Sequence, residues 1–279
     1  MGDSATQIFP RDLRSAREFL RECLWSEVQR VESKVTGRLM RLVIDHTERV
    51  CMWTEVLCRL SGITQPEYVL MAAILHDCAK LRHDSPSGLQ LQELHIVAGK
   101  KLAMKFLREE LGKDQKLAHD IALIIGCHDF GMHRHSKSDL PEKLPEKIVH
   151  DANLLDYLDL WGLRLMVEYH FARRPENTPW DPRTVLEIAG KHALNLKKEL
   201  TLEAAKSIAE TTIQVEGREI KKGIFWRLAR GMNHLCSLNL KTIEDFRRAF
   251  GEYLRVEDPE LELTLKKLMP QGMKARIFF

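Results

Sequence analysis

A chain of 279 residues carrying 43 Lys and Arg, 40 Asp and Glu and a net charge of +3 has room for a sizeable core without disulfides. Its 44% hydrophobic and 30% charged content excludes global disorder, and so small a charge gives no argument for a nucleic-acid or membrane partner. Cys23, Cys51, Cys58, Cys78, Cys127 and Cys236 are scattered with no Cys-x-x-Cys pair, which reads as reduced thiols on apolar helical faces. No signal-type segment opens the chain and no apolar run approaches the ~20 residues of a membrane span. The expectation is a soluble cytoplasmic protein.

Helix formers dominate and strand signals are nearly absent. Pro10-Arg11-Asp12-Leu13 opens a first helix through Leu20, Leu24 and Val28, with Gly37 as its interruption or end. Residues 38–60 predict a helix presenting Leu42, Val43, His46, Val50, Trp53 and Leu57 on one face, stopped by Gly62 in a C-terminal cap. Pro66 suits the first turn of the next helix, which is expected to run to about Lys80. A polar stretch over 82–92 precedes a helix over 94–111 ended at Gly112, and Asp114 can cap another through His128.

The segment 130–139 is rich in His and basic residues, and Pro145 opens a helix carrying Asp151 to about Phe171. Residues 175–182 form the clearest linker. Further helices are expected over 185–215, 223–238, 242–254 and 259–268. The division drawn from these signals is an N-terminal helical arm over 1–37, a metal-binding core over 38–174 and a helical extension over 175–279.

The apolar run Tyr68 to Leu75 delivers His76-Asp77 out of what should be core, and such a pair is costly to bury unless hydrogen-bonded or metal-bound. His46, His95, His128 and Asp151 lie in amphipathic stretches on either side. The order His46, His76-Asp77, His95, His128, Asp151 resembles the HD superfamily of metal-dependent phosphohydrolases over roughly residues 39–174. That resemblance implies an all-α HD-type helical bundle, with His46, His76, Asp77 and Asp151 holding one metal. It implies that Asp77 bridges to a second metal held by His95 and His128, as in the dinuclear subgroup that includes bacterial small-nucleotide and diadenosine tetraphosphate hydrolases.

Hard or borderline N/O ligands favour two divalent ions, Fe or Mn or else Mg, over a thiolate zinc site. The implied activity is hydrolysis of a phosphoester or phosphoanhydride of a small nucleotide by a dinuclear metal-bound water. Lys80, in His-Asp-x-x-Lys, is the candidate to neutralise the phosphate, its alternative being a solvated helix-end lysine. His133, Arg134 and His135 are candidate substrate contacts in a segment that reads equally as solvated loop. Asp129, Glu48 and Arg164 are weaker candidates for acid, supporting or cleft groups.

Two other readings stand beside hydrolysis. A mixed-valent di-iron oxygenase cleaving a C–C or C–P bond uses the same six ligands, since ligand sets alone do not decide chemistry. A non-catalytic HD regulatory scaffold finds its support in an extension without visible chemistry. The terminal Ile277-Phe278-Phe279 either folds back or marks a homo-oligomer contact.

Overall fold

The computed structural model describes residues 4–31, 34–81, 90–128, 140–173, 181–215, 218–221 and 223–257. The expected helix over 259–268, the terminal Ile277-Phe278-Phe279 and the candidates Asp129, His133, Arg134 and His135 lie outside the described residues. The fold is all-α apart from one short hairpin, and it falls into two compact units, Met1–Asn153 and Leu154–Phe279. The sequence-drawn division follows linkers and motifs, whereas these units follow packing. Among the described residues, no helix is long and apolar enough to cross a membrane.

The first unit is assembled around its shortest complete helix. Helices α1 (Pro10–Val31) and α2 (Lys34–Leu60) pack on each other and on α3 (Glu67–Leu75). Every residue of α3 from Val69 to Leu75 is buried. A helix apolar on all sides has no solvent face and must occupy the centre of its bundle. Helices α4 (Gln90–Lys105) and α5 (Gln115–Gly126) pair with each other, and α5 also packs on α3. Gly62 (φ 73°) and Gly112 (φ 61°) terminate α2 and the turn after α4 in the left-handed region that glycine enters without a Cβ penalty.

The ends of α4 and α5 depart from simple helix. Phe106–Glu110 forms a π-helical turn rather than a continuation of α4, with Leu111 N–H reaching Phe106 O at 3.1 Å. The Asp114 side chain accepts from Leu117 N at 2.7 Å, the N-cap expected for α5. Buried Lys113 donates to Asp12 Oδ2 at 2.7 Å and to Gln7 O at 2.8 Å, fastening the start of the chain to this corner. Helix α6 (Leu144–Tyr157) opens on Glu146, whose carboxylate accepts from Glu142 N and Lys143 N.

In the second unit, the helix expected to run on to Phe171 is broken. Helix α7 (Leu160–Arg173) begins after a turn in which Asp159 N–H bonds Asp156 O at 3.1 Å, and the Asp159 side chain accepts from Leu160 N at 2.7 Å. Local side-chain bonding of this kind gives the backbone an alternative to helix. The single helix expected over 185–215 is α8 (Pro182–Glu199), α9 (Glu203–Glu210) and an antiparallel hairpin, β1 (Thr212–Val215) with β2 (Arg218–Lys221). Helix α10 (Ile224–Ser237) packs on α7, α8, α9 and α11 (Ile243–Glu257), the last capped by Thr242 and Asp245 in reciprocal bonds.

Candidate metal centre

The site is built at two helix ends that use the same device. Helix α3 stops at Leu75, and His76 Nδ1 turns back to donate to Ala73 O at 2.6 Å. Helix α5 stops at Gly126, and His128 Nδ1 donates to Ile125 O at 2.6 Å. The last carbonyls of a helix lack the usual intrahelical donor, and each imidazole adds a donor to one of them, Ile125 O also receiving His128 N at 3.4 Å. A carbonyl can only accept, so Nδ1 carries a proton, and in the neutral tautomer this leaves Nε2 as the lone pair that a metal would use. Helix termination and ligand orientation are one event here.

Both Nε2 atoms point at a second imidazole. His76 Nε2 lies 3.2 Å from His46 Nε2, supplied by α2. His128 Nε2 lies 3.3 Å from His95 Nε2, supplied by α4. Asp77 sits between the two pairs: Oδ2 is 3.6 Å from His46 Nε2 and 3.5 Å from His76 Nε2. Its Oδ1 is 3.5 Å from both His95 Nε2 and His128 Nε2. All five residues are buried to 2% exposure or less. Two triads result, His46-His76-Asp77 and Asp77-His95-His128, each with its ligand atoms mutually within 4.8 Å.

These spacings fit cations rather than hydrogen bonds. Separations of 3.5–3.6 Å are beyond a good N–H···O bond, and Asp77 Oδ2 is a buried oxygen with no hydrogen-bond partner. Ligands ~2.1 Å from a common ion, at tetrahedral or octahedral angles, lie about 3.0–3.4 Å from each other. The His–His separations of 3.2 and 3.3 Å fall within that range and the Asp77 separations of 3.5–3.6 Å just above it, so the two triads, which share one carboxylate, have a donor set suited to divalent ions.

Electrostatics favour the forms that ligate. Burial opposes the charge on Asp77, but the Lys80 ammonium and the His76 and His128 rings outweigh it and hold the carboxyl well below the usual range. Burial and the Lys80 ammonium push His95 down to about 4 against the pull of Asp77. Its ring is neutral near pH 7, as a metal ligand must be. Lys80 lies in the turn after α3 with Nζ 3.2 Å from Asp77 Oδ1, on the His95-His128 side.

The other expected residues stand as follows. Asp151 on α6 is fully buried but belongs to neither triad, and its Oδ1 is 2.9 Å from His150 Nδ1. Glu48 pairs with Arg17 at 3.1 Å. Arg164 lies over the Trp161 and Phe250 rings in the second unit, 5.5 and 6.0 Å from their centroids. Asn153, which no motif signals, donates through Nδ2 to His128 O at 3.0 Å.

A buried, two-triad His/Asp centre inside a helical bundle defines a metal-binding helical domain with catalytic potential. The family model described as HD domain matches residues 43–161, which contain both triads. Residues 43–161 are thus similar to an HD domain, and the two triads they contain are consistent with the HD superfamily. No curated protein and no solved structure matches the chain.

Proposed function

We propose that the protein is a metal-dependent phosphohydrolase acting on a phosphoester or phosphoanhydride of a small nucleotide. The observation that carries this reading is the division of Asp77, with one carboxylate oxygen facing His46 and His76 and the other facing His95 and His128. His46, His76 and Asp77 would hold one ion, and Asp77, His95 and His128 the other. Two such ions, when bound, supply a water of lowered pKa and a clamp on phosphoryl oxygens.

The chain's own groups do the rest. His76 and His128 keep their lone pairs inward because Nδ1 is committed to a carbonyl. Asp77 stays ionised in a dry interior. Lys80 holds a positive charge at the edge of the second triad, where it can neutralise the equatorial oxygens of a transferring phosphoryl group. His133, Arg134 and His135 are proposed as further contacts to the phosphate or leaving group.

The test is metal content and hydrolysis together. Protein reconstituted with Mn or Fe should hold about two ions and hydrolyse members of a panel of nucleoside polyphosphates and cyclic nucleotides. His128→Ala should fall toward one ion with hydrolysis at background. A protein with both ions bound and no hydrolysis across the panel would sink the hydrolase reading. A mutant that keeps both ions would remove the second site.

One observation favours a second reading. Lys80 Nζ lies 3.2 Å from the Asp77 oxygen that faces His95 and His128, which sets a positive charge beside that triad and suits the unlike sites of a mixed-valent di-iron oxygenase. Substrate-dependent oxygen uptake by iron-loaded protein separates it from hydrolysis. Failure of both assays with metal bound would leave the HD scaffold.

A further inference from the structure

Asn153, two residues beyond the expected ligand on α6, has more of the marks of a ligand than Asp151 does. Asn153 is 2% exposed, and its Nδ2 donates to the backbone carbonyl of His128 at 3.0 Å. Its Oδ1 is buried with no hydrogen-bond partner. A buried amide carbonyl is rarely left so, because desolvation without a compensating partner is costly. Asp77 Oδ2 is an orphan of the same kind, one that a cation held by the imidazoles would satisfy.

Asp151 and Asn153 leave α6 in different directions. Successive helical residues turn by ~100°, so positions two apart face roughly opposite sides of α6. The bond to His128 O fixes which side meets the end of α5, and it is the Asn153 side. One oxygen of Asp151, Oδ1, is engaged with its neighbour His150 at 2.9 Å, and Asp151 lies in neither triad. An amide oxygen is also a suitable neutral donor for a hard or borderline divalent ion.

We infer that Asn153 is the α6 residue serving the metal centre: Nδ2 positions His128, and Oδ1 donates a neutral oxygen to the second ion. This rests on the two-ion reading above. It makes the second site the one that depends on α6, and it gives that site a neutral rather than an anionic oxygen beyond the shared Asp77.

The experiment is a Mn²⁺ titration by calorimetry, with elemental analysis, of full-length wild type, N153A, N153D and D151N. Thermal unfolding of each metal-free protein reports folding independently of activity. N153A is expected to bind the weaker ion about tenfold or more less tightly, and N153D, which keeps an oxygen at the same position, to restore binding. Wild-type affinity in N153A overturns the inference. N153D as weak as N153A removes the oxygen-donor role. D151N losing an ion while N153A keeps both returns the role to Asp151 and also overturns it.

If N153A does not fold, N153D decides, and binding weaker than wild type counts against the inference. If the wild type takes up one ion only, the two-ion reading falls, and Asn153 is judged by the same variants on that ion. If it takes up none, both fall.

Discussion

Both units bury carboxylates, and they answer them in opposite ways. In the second unit Glu168, 2% exposed, receives Arg247 through two bonds, Nε at 2.7 Å and a terminal nitrogen at 2.5 Å. Asp159 receives Arg227 at 3.1 Å and a backbone N–H at 2.7 Å. In the first unit Asp77 faces four imidazole nitrogens at 3.5–3.6 Å, with Lys80 3.2 Å from its Oδ1. A carboxylate met by an arginine fork is complete within its own chain. One that faces four imidazole nitrogens at 3.5–3.6 Å has the surroundings of a metal ligand instead.

The sharpest way to break this contrast is to remove the answer on each side. Asp77→Ala should take both ions away and leave hydrolysis at background. Chelation of the wild type should cost the first unit about 4 kcal/mol where free ion had stood ~1000-fold above its Kd. That corresponds to a thermal shift of roughly 10 °C, with no comparable shift in the second unit. Equal shifts in both units, followed by calorimetric unfolding, would contradict the division.

Arg247→Ala is the mirror experiment. It strands Glu168 in the core and should destabilise the second unit by about 3 kcal/mol, the lower end for breaking a buried pair because Arg247 is itself partly exposed. Metal content per folded molecule should not change. Smaller still is Gly231→Ala on α10, where an added Cβ would collide with Leu160 Cδ2 and lie 3.2 Å from Tyr253 Cε1. Those are side chains that can give way, so about 1–2 kcal/mol is expected in urea unfolding.

The smallest effect is alkaline. Burial, with Glu48 adding to it, raises the Cys51 thiol far above its usual value, and burial with Glu55 pushes Cys58 up to about 12. Unfolded thiols ionise near 8.5, so above that pH the unfolded chain releases protons that the folded chain keeps. Stability of the first unit is therefore full below about pH 8.5 and falls as pH rises, by just under 1 kcal/mol per thiol at pH 9. Cys51→Ala should flatten the pH profile of its unfolding midpoint, and an unchanged profile would show that the thiol is not the cause.

Much of the centre was legible because order and helical setting survive without coordinates. His46, His76-Asp77, His95 and His128 each end or line an apolar run, and the fold brings those runs together. What the sequence hid was orientation. Asp151 and Asn153 are both polar residues in a buried stretch, and only the bond to His128 O tells which faces α5. The hairpin was hidden for a different reason. Thr212-Ile213-Gln214-Val215 alternates as a strand does, but it follows α9 so closely that helical periodicity runs into it. The break before α7 was masked by Leu158 and Leu160, which continue an apolar face across the turn that Asp159 creates.

The helix-end histidines carry a consequence for the chain as a polymer. His46 and His76 are 30 residues apart in sequence and their ring nitrogens nearly touch, as do those of His95 and His128, 33 apart. With ions in place, each pair ties off a loop as a disulfide would. Closing a loop of ~30 residues removes about 3–4 kcal/mol of disorder from the unfolded chain. Asp77, shared by both knots, makes the two loops a single figure of eight. Protease resistance of the first unit should then track metal supply during synthesis, because bound ions would act as reversible cross-links in a chain with no disulfide among its described residues.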